Sequence, residues 1–130
     1  MAFLLRGGLV DKTHTVKKNS DFYDIIHSGF YVKDNMFTIY NKDNGLDYYR
    51  FGISISKKLG NSVKRNYYKR QVRFLIDKYK KNYQNGFDYI IIIRKDFVDG
   101  TFKEKDERFL NLINKISNHN KGVINDKAKI

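Results

Sequence analysis

Residues 57–81 constrain the fold most, because they place an apolar stripe and a dense set of cations on one helix. This segment holds ten of the chain's 26 lysines and arginines but only one of its 14 acidic residues, Asp77. At about 100° per residue, its apolar side chains fall within about 100° of one another. They are Tyr68, Val72, Leu75, Ile76 and Tyr79. Such a helix buries one side against a sheet and leaves its charged flank in water.

The cations of this helix are concentrated on the flank beside the stripe. Arg65, Lys69 and Arg73 follow one another every four residues, a spacing of like charges that mildly destabilises an isolated helix. An anionic partner would offset that repulsion. A face that only confers solubility and a polybasic helix on a membrane surface are the alternatives. Tyr67 and Phe74 lie away from the stripe, where they either stack on bases or pack under loops. We therefore predict a nucleic acid as partner.

The whole chain suits one domain. Its 130 residues are enough for a single core, and 41% of them are hydrophobic. The absence of cysteine excludes disulfides and thiolate metal sites and fits the cytoplasm, and no apolar run is long enough to span a bilayer. We expect a loose extension at 1–12, the domain at 13–118 and a disordered basic tail at 119–130.

Periodicity predicts the order helix, three strands, helix, strand, helix. The first helix covers about 17–27, and the strands cover 30–32, 36–40 and 50–57. The second helix begins at Asn61 or Ser62, after Gly60, and is closed by Asn85 and Gly86. The apolar run 89–93 predicts a buried strand, and the last helix covers 101–117. Its apolar stripe comprises Phe102, Phe109, Leu112, Ile113 and Ile116. The pattern predicts an α/β (α+β) sandwich with helices packed on one small mixed sheet.

The sequence shows no arrangement of catalytic residues. The histidines, which share no spacing suited to metal binding or acid–base chemistry, are His14, His27 and His119. We expect His27 to interact with the end of the first helix or with solvent. The acidic group Glu104, Asp106 and Glu107 is expected to form an exposed face of the last helix. No phosphate-binding loop or metalloprotease motif occurs. The chain is thus predicted to bind a nucleic acid, with no catalytic residue and no metal ligand of its own.

The text RFGISISKKLGNSVKRNYYKRQVR at 50–73 resembles the signature of the bacterial ribonuclease P protein component. The matching residues are Arg50, Gly52, Ser54, Ser56, Lys57, Lys58, Gly60, Asn61, Val63, Arg65, Asn66, Lys69, Arg70 and Arg73. The segments KKNSDFYDIIHSG and FDYIIIIRK resemble two further family segments, so the resemblance covers about 14–117. Tyr67 stands where the family has arginine, Ser62 replaces the usual alanine, and Ile26 stands where an aromatic residue is frequent.

The resemblance implies a fold and two sets of contacts. The fold, shared with a domain of a small-subunit ribosomal protein, has a left-handed β-α-β crossover around the basic helix, whereas the usual hand is right. The implied contacts with the catalytic RNA are Lys57, Lys58, Asn61, Arg65, Asn66, Lys69, Arg70 and Arg73. The implied cleft for the single-stranded 5′ leader of precursor tRNA contains Phe22, Ile26, Phe37 and Tyr40. Aromatic side chains stack on splayed bases, although Phe22 and Phe37 would suit the core equally well.

The function implied by the resemblance is that of a subunit of a ribonucleoprotein endonuclease that removes the 5′ leader from precursor tRNA. The catalytic RNA performs the chemistry, and Mg²⁺ is held mainly by RNA phosphates. The expected partners are this RNA and the leader, with no role on a membrane or on DNA. A structural RNA-binding protein of ribosomal type is the alternative. A protein-only nuclease would need clustered carboxylates near the basic face, and the sequence shows none there.

Overall fold

One mixed sheet of five strands organises the computed structural model, which describes residues 2–3, 15–16 and 18–128. The strands are β1 (Ala2–Phe3), β2 (Phe30–Lys33), β3 (Phe37–Asp43), β4 (Arg50–Ser54) and β5 (Phe87–Ile93), in the spatial order β1-β4-β5-β3-β2. The helices are α1 (Asn19–Ser28), α2 (Ser62–Lys78), α3 (Lys95–Asp99) and α4 (Phe102–Ala128). Short 3-10 turns cover Lys57–Leu59 and Lys80–Asn82. The predicted order is confirmed, with β1, α3 and the two turns added.

The sheet is built around β5, the continuous apolar strand. β5 pairs in parallel with β4 and antiparallel with β3, and β2 forms the edge beyond β3. A strand with neighbours on both sides and helices over both faces must be apolar throughout, as the isoleucine run of β5 is. α2 connects β4 to β5, so the predicted β-α-β crossover is present. Its left hand stays a prediction of the resemblance.

The two faces of the sheet carry different helices. One face packs against α2 and α4 and forms the main core, in which Phe51, Ile53 and Ile91 are fully buried. The other face packs against α1, where Phe22 and Ile25 cover Ile90. A Cβ atom at Gly52 would lie 2.4 Å from Phe22 Cζ, so the glycine allows α1 to lie this close to β4. The sheet is therefore sandwiched between helices, with α1 alone on its face among the described elements.

The start of α2 follows the sequence prediction, and its end does not. Gly60 has a φ of 155°, and Asn61 Oδ1 accepts the backbone amide hydrogen of Lys64 at 2.9 Å, which caps the helix. The predicted stripe is confirmed, since four of its members are buried and Tyr79 is half-buried. The helix ends at Lys78 and does not reach Asn85 and Gly86. A 3-10 turn follows Tyr79, and the buried Tyr83 donates its hydroxyl hydrogen to Ile76 O at 2.8 Å, so the chain turns back early.

The prediction of a disordered tail is wrong for residues 119–128, because α4 continues to Ala128. Asn120 is 0% exposed and exchanges side-chain hydrogen bonds of 2.7 and 3.1 Å with Asn41 of β3. Further along, Lys127 forms an ion pair with Asp43. The polar composition of this segment predicted disorder, because it offers little apolar area to bury. The segment is instead ordered by the buried polar contact of Asn120 with Asn41. The loose extension predicted at 1–12 lies outside the described residues, apart from the β1 pair.

Two predictions about the face of α4 also need correction. Phe102 is 38% exposed, whereas the other four members of the predicted stripe are buried. Asp106 is half-buried, because its carboxylate accepts hydrogen bonds from Lys78 Nζ and the Tyr79 hydroxyl. Burial alone would raise the pKa of Asp106, but these two hydrogen bonds outweigh it and lower the pKa. The acidic group therefore partly serves to join α4 to α2.

Candidate nucleic-acid interface

The cationic ridge, as we call Lys57, Lys58, Arg65, Lys69, Arg70 and Arg73, runs from the end of β4 along one flank of α2. Lys57 and Lys58 lie exposed in the 3-10 turn, where Ser56 Oγ accepts the amide hydrogen of Lys58 at 3.2 Å. Gly60 then redirects the chain into α2 with a backbone angle that disfavours other residues. Strand, turn and helix thus place two separate groups of cations on one continuous surface.

The middle of the ridge is strongly electropositive. Arg65, Lys69 and Arg73 are half-buried beside the apolar stripe, and Arg70 is exposed on the outer side. Burial, followed by the charges of Arg65 and Arg73, lowers the pKa of Lys69. The charged form of Lys69 is therefore destabilised in the free protein, and a bound anion such as a phosphate would stabilise it.

Four of the six ridge cations form no ion pair among the described residues. Among the described residues, no carboxylate lies within salt-bridge distance of Lys57, Lys58, Arg65 or Arg70. Arg65 Nε is buried and has no hydrogen-bond acceptor among the described residues. Buried guanidinium nitrogens are normally satisfied, so an acceptor supplied from outside fits here. Asn66 is exposed next to the ridge, whereas Asn61 uses its side-chain oxygen to cap α2.

The opposite flank of α2 is joined to α4 by polar and aromatic contacts. Lys105, only 3% exposed, donates a hydrogen bond to Gln71 Oε1 at 3.0 Å. Phe74 meets Phe102 edge-on with ring centroids 5.6 Å apart. Phe74 and Tyr67 are 50% and 54% exposed, which confirms that they lie away from the buried stripe. α2 therefore presents two distinct flanks, one for folding against α4 and one carrying the ridge.

A second candidate surface lies on the sheet face that carries α1. β3 residue Tyr40 pairs in register with Ile90 and with Tyr31 of β2, and Thr38 pairs with Ile92. Tyr40 and Ile92 are half-buried and pack at the margin of the cluster formed by α1. We call the surface formed by Tyr40 and Ile92, beside α1 with its half-buried Ile26, the aromatic groove. Its residues offer one aromatic ring and apolar contacts beside open solvent.

The four leader-cleft candidates are separated by the structure. Tyr40 is half-buried on the α1 side of the sheet, and Ile26 is half-buried on α1 itself, so their role in a cleft stays a prediction. Phe22 is on that side too, but it is 6% exposed and mainly packs α1 against the sheet. Phe37 is wrong as a cleft residue. It is 0% exposed on the opposite face, and the Phe97 and Phe109 ring centroids lie 5.4 and 5.6 Å from its own. Successive side chains of a strand point to opposite faces, and Phe37 is one of the β3 residues that point into the main core.

Two features of this face were missed by sequence reasoning. Tyr31 is 49% exposed, and its ring centroid is 5.3 Å from that of Tyr40. Strand alternation places Tyr31 and Lys33 on one face, but only the register brings them beside β3. Arg50 forms hydrogen bonds of 2.8 and 2.6 Å with the buried carboxylate of Asp88, joining β4 and β5. Arg50 also lies 3.8 Å from Asp21 at the start of α1. The signature arginine thus helps to position α1 above the groove.

The described histidines lie apart from one another, each against an aromatic ring. His27 packs on Tyr23 at 3.9 Å and His119 stacks on Phe30 at 3.7 Å between ring centroids, while His14 lies outside the described residues. In the described segments, no three His, Asp or Glu side chains come together as a metal site. Over the same segments, none of the helices is both long and apolar enough to cross a bilayer.

Comparisons with known proteins point to one family. The family model described as Ribonuclease P matches residues 10–117. The ribonuclease P protein component of Halalkalibacterium halodurans is 36% identical over 72% of this chain and 79% of its own length. The component from Streptococcus gordonii is 32% identical over 91% of this chain and 98% of its own length.

Solved structures agree with the sequence relatives. The ribonuclease P protein from Thermotoga maritima superposes with a TM-score of 0.72 at 30% identity, covering 78% of this chain and 96% of its own. The Staphylococcus aureus protein gives a TM-score of 0.72 at 35% identity, covering 80% of this chain and 94% of its own. The similarity therefore includes both the fold and the segment that carries the cationic ridge.

Proposed function

This chain belongs to the ribonuclease P protein family, and from that premise we propose that it is the RNA-binding subunit of a bacterial ribonuclease P. Membership of the family implies a role in tRNA processing as part of a ribonuclease complex. We propose that the chain binds the catalytic RNA and the single-stranded 5′ leader of precursor tRNA. The observation that carries the proposal is the cationic ridge, in which six lysine and arginine side chains follow one another along the turn and one flank of α2.

The ridge suits the phosphates of a folded RNA. Its cations extend over the turn and at least two turns of α2, and Arg65 has a buried nitrogen without an acceptor. Arginine donates several hydrogen bonds in a planar fork, which matches phosphate oxygens. Neutralising about six phosphates would give a slope of log affinity against log salt of roughly −4 to −5. The proposed RNA-subunit contacts are Lys57, Lys58, Asn61, Arg65, Asn66, Lys69, Arg70 and Arg73.

The aromatic groove suits a single strand. Stacking of a base on Tyr40 requires no particular sequence, because every base has an aromatic face. Ile92 adds an apolar contact, and Phe22 holds α1, which also carries Ile26, at its place beside the groove. β4 pairs with β5, which carries Ile92, and then leads into Lys57 and Lys58, so the sheet that carries the groove continues directly into the ridge. One protein can therefore contact the catalytic RNA and the leader of its substrate together.

The chemistry is assigned to the RNA. Mg²⁺ ions supply metal-activated water for phosphodiester hydrolysis, and we propose that RNA phosphates hold them. Within the described residues, the chain offers no carboxylate cluster that would suit these ions. Its own part would be to add affinity for the leader and to screen the repulsion between substrate and catalytic RNA. We expect this to take place in the bacterial cytoplasm.

Two variants test the proposal by separating the two surfaces. Arg65→Gln is expected to weaken binding of the catalytic RNA, whereas Tyr40→Ala is expected to weaken only precursor tRNA with a long leader. Lys121→Gln is the charge control, since Lys121 is exposed on α4 near the β2 edge, away from the ridge. RNA-subunit affinity is measured by filter binding, and substrate affinity in the reconstituted holoenzyme. Equal losses from Tyr40→Ala in both assays would remove its leader role. Catalytic-RNA binding unchanged by Arg65→Gln would argue against the ridge.

A further inference from the structure

β2, the edge strand of the sheet, presents a tyrosine and a lysine on the side that carries the aromatic groove. Tyr31 and Lys33 are two residues apart, so both side chains point to one face of the strand. Tyr31 pairs in register with Tyr40, and Lys33 pairs with Thr38. Since Tyr40 packs beside α1, the face shared by Tyr31 and Lys33 is the face that carries α1.

Tyr31 is exposed to solvent, whereas a core residue at this position would be buried. α1 packs on β3 and β5, and Tyr31 on β2 is 49% exposed. Its ring lies 5.3 Å from Tyr40 at an interplanar angle of 36°. Two rings this close cannot hold a base between them, so each offers a separate face to a different base. Tyr31 therefore extends the row of stacking surfaces by one strand, which is about 4.8 Å.

Lys33 adds a positive charge that can pair with a nucleotide phosphate. It is exposed, and no acidic side chain of the described residues lies within salt-bridge distance of it. An aromatic ring with a free cation beside it, in a row that continues a strand-binding groove, is the arrangement by which proteins hold single-stranded nucleic acid.

We propose that Tyr31 and Lys33 form an additional nucleotide subsite that binds a distal part of the 5′ leader. This inference rests on the proposed leader-binding function and extends it. The leader enters from the side of β4, because β4 continues into the ridge that holds the catalytic RNA. It then passes Tyr40 on β3 and reaches Tyr31 on β2 last. The Tyr31 ring stacks on one base, and the Lys33 ammonium pairs with a neighbouring phosphate.

The test uses the full-length protein reconstituted with a bacterial ribonuclease P RNA and precursor tRNAs whose leaders increase one nucleotide at a time. Tyr31→Thr keeps a β-forming residue and removes the ring, and Tyr31→Phe keeps the ring. Phe30→Thr is the matched control, since Phe30 is the neighbouring residue on the opposite face, 38% exposed and stacked on His119. Substrate affinity is measured for every leader length with each protein.

Tyr31→Thr is expected to lose affinity about fivefold or more, but only for leaders beyond a threshold length. That threshold should exceed the one for Tyr40→Ala by about one or two nucleotides, given the strand spacing. Tyr31→Phe and Phe30→Thr should match the wild type at all lengths. Lys33→Gln should make the salt dependence of long-leader binding shallower by about 0.7, the value for one phosphate of a single strand.

The outcomes separate this inference from the proposed function. Tyr31→Thr with wild-type affinity at every leader length would overturn the subsite, even if Tyr40→Ala shows its leader-dependent loss. A loss of affinity by Tyr31→Thr that includes substrates without a leader would also overturn it, because that indicates a structural role. If the wild-type protein shows no dependence on leader length, the proposed leader-binding function fails first.

Discussion

The buried contact between Asn120 and Asn41 is expected to be one of the largest single contributions to stability outside the apolar core. Asn120 Nδ2 lies within hydrogen-bonding distance of three acceptors, on Asn41 at 3.1 Å, Gln84 at 3.2 Å and Tyr89 at 3.1 Å. Asn120→Ala would leave both Nδ2 and Oδ1 of Asn41, which is 2% exposed, without this partner, whereas the Tyr89 hydroxyl still accepts the backbone amide hydrogen of Gln84 at 3.1 Å. Gln84 is half-buried and can turn to water.

The cost follows from the two buried polar groups of Asn41. A stranded buried polar group costs about 1–3 kcal/mol, so two of them cost about 2–6 kcal/mol. Alanine offsets about 0.7 kcal/mol through its higher helix propensity, which leaves a net loss of about 1–5 kcal/mol. For a chain of this length, each kcal/mol lowers the melting temperature by about 4 °C. The expected decrease is thus about 5–20 °C.

Thermal unfolding followed by circular dichroism measures this decrease. Asn118→Ala is the matched control, because Asn118 is exposed on the same helix, and its melting temperature should change by about 2 °C or less. The double variant Asn41→Ala with Asn120→Ala should lose less than the sum of the single losses, since both remove one contact. An unchanged melting temperature for Asn120→Ala would refute the reasoning and restore the disordered tail that the sequence predicted.

Three further predictions concern pH, the core and the ridge. Burial raises the pKa of Tyr89 to about 12, so its contribution to stability is complete below about pH 10 and is lost as the pH rises through about 12. Above pH 10 the melting temperature of Tyr89→Phe should therefore fall less steeply with pH than that of the wild type. Parallel curves of melting temperature against pH would contradict this. Phe37→Ala should cost about 3–5 kcal/mol of unfolding free energy in urea titrations, because it empties a fully buried site; a stable variant with only a leader-binding defect would return Phe37 to the cleft. Arg65→Gln should reduce the salt slope of binding to a double-helical RNA by about 0.9, measured between 50 and 200 mM salt, conditions in which phosphate contacts dominate; an unchanged slope would mean that Arg65 does not contact a phosphate.

Sequence reasoning was most successful where a local pattern decides the structure. The spacing of Tyr68, Val72 and Leu75 predicted which side of α2 is buried, and Gly60 and Asn61 predicted where the helix begins. These depend on helix geometry and on backbone and side-chain chemistry within a few residues. The family signature then supplied the crossover topology, which local patterns do not encode.

The misses come from contacts between residues that are distant in the sequence. Asn120 lies in a polar tail, and only its pairing with Asn41 shows why the helix continues. Phe37 and Tyr40 are both aromatic residues of one strand, but they differ in parity and so lie on opposite faces of the sheet. Tyr31 becomes a candidate only through its register with Tyr40. Register and the helix covering each face are properties of the assembled sheet.

The central claim is that this chain assists an RNA enzyme and does not cut RNA by itself. Cleavage of precursor tRNA by a bacterial ribonuclease P RNA at low magnesium, with and without the purified protein, tests it most directly. We predict that the RNA alone is slow, that the protein accelerates removal of the 5′ leader, and that the protein alone releases no leader. No stimulation of the RNA would contradict the proposed function, and cleavage by the protein without any RNA subunit would contradict the assignment of the chemistry to RNA.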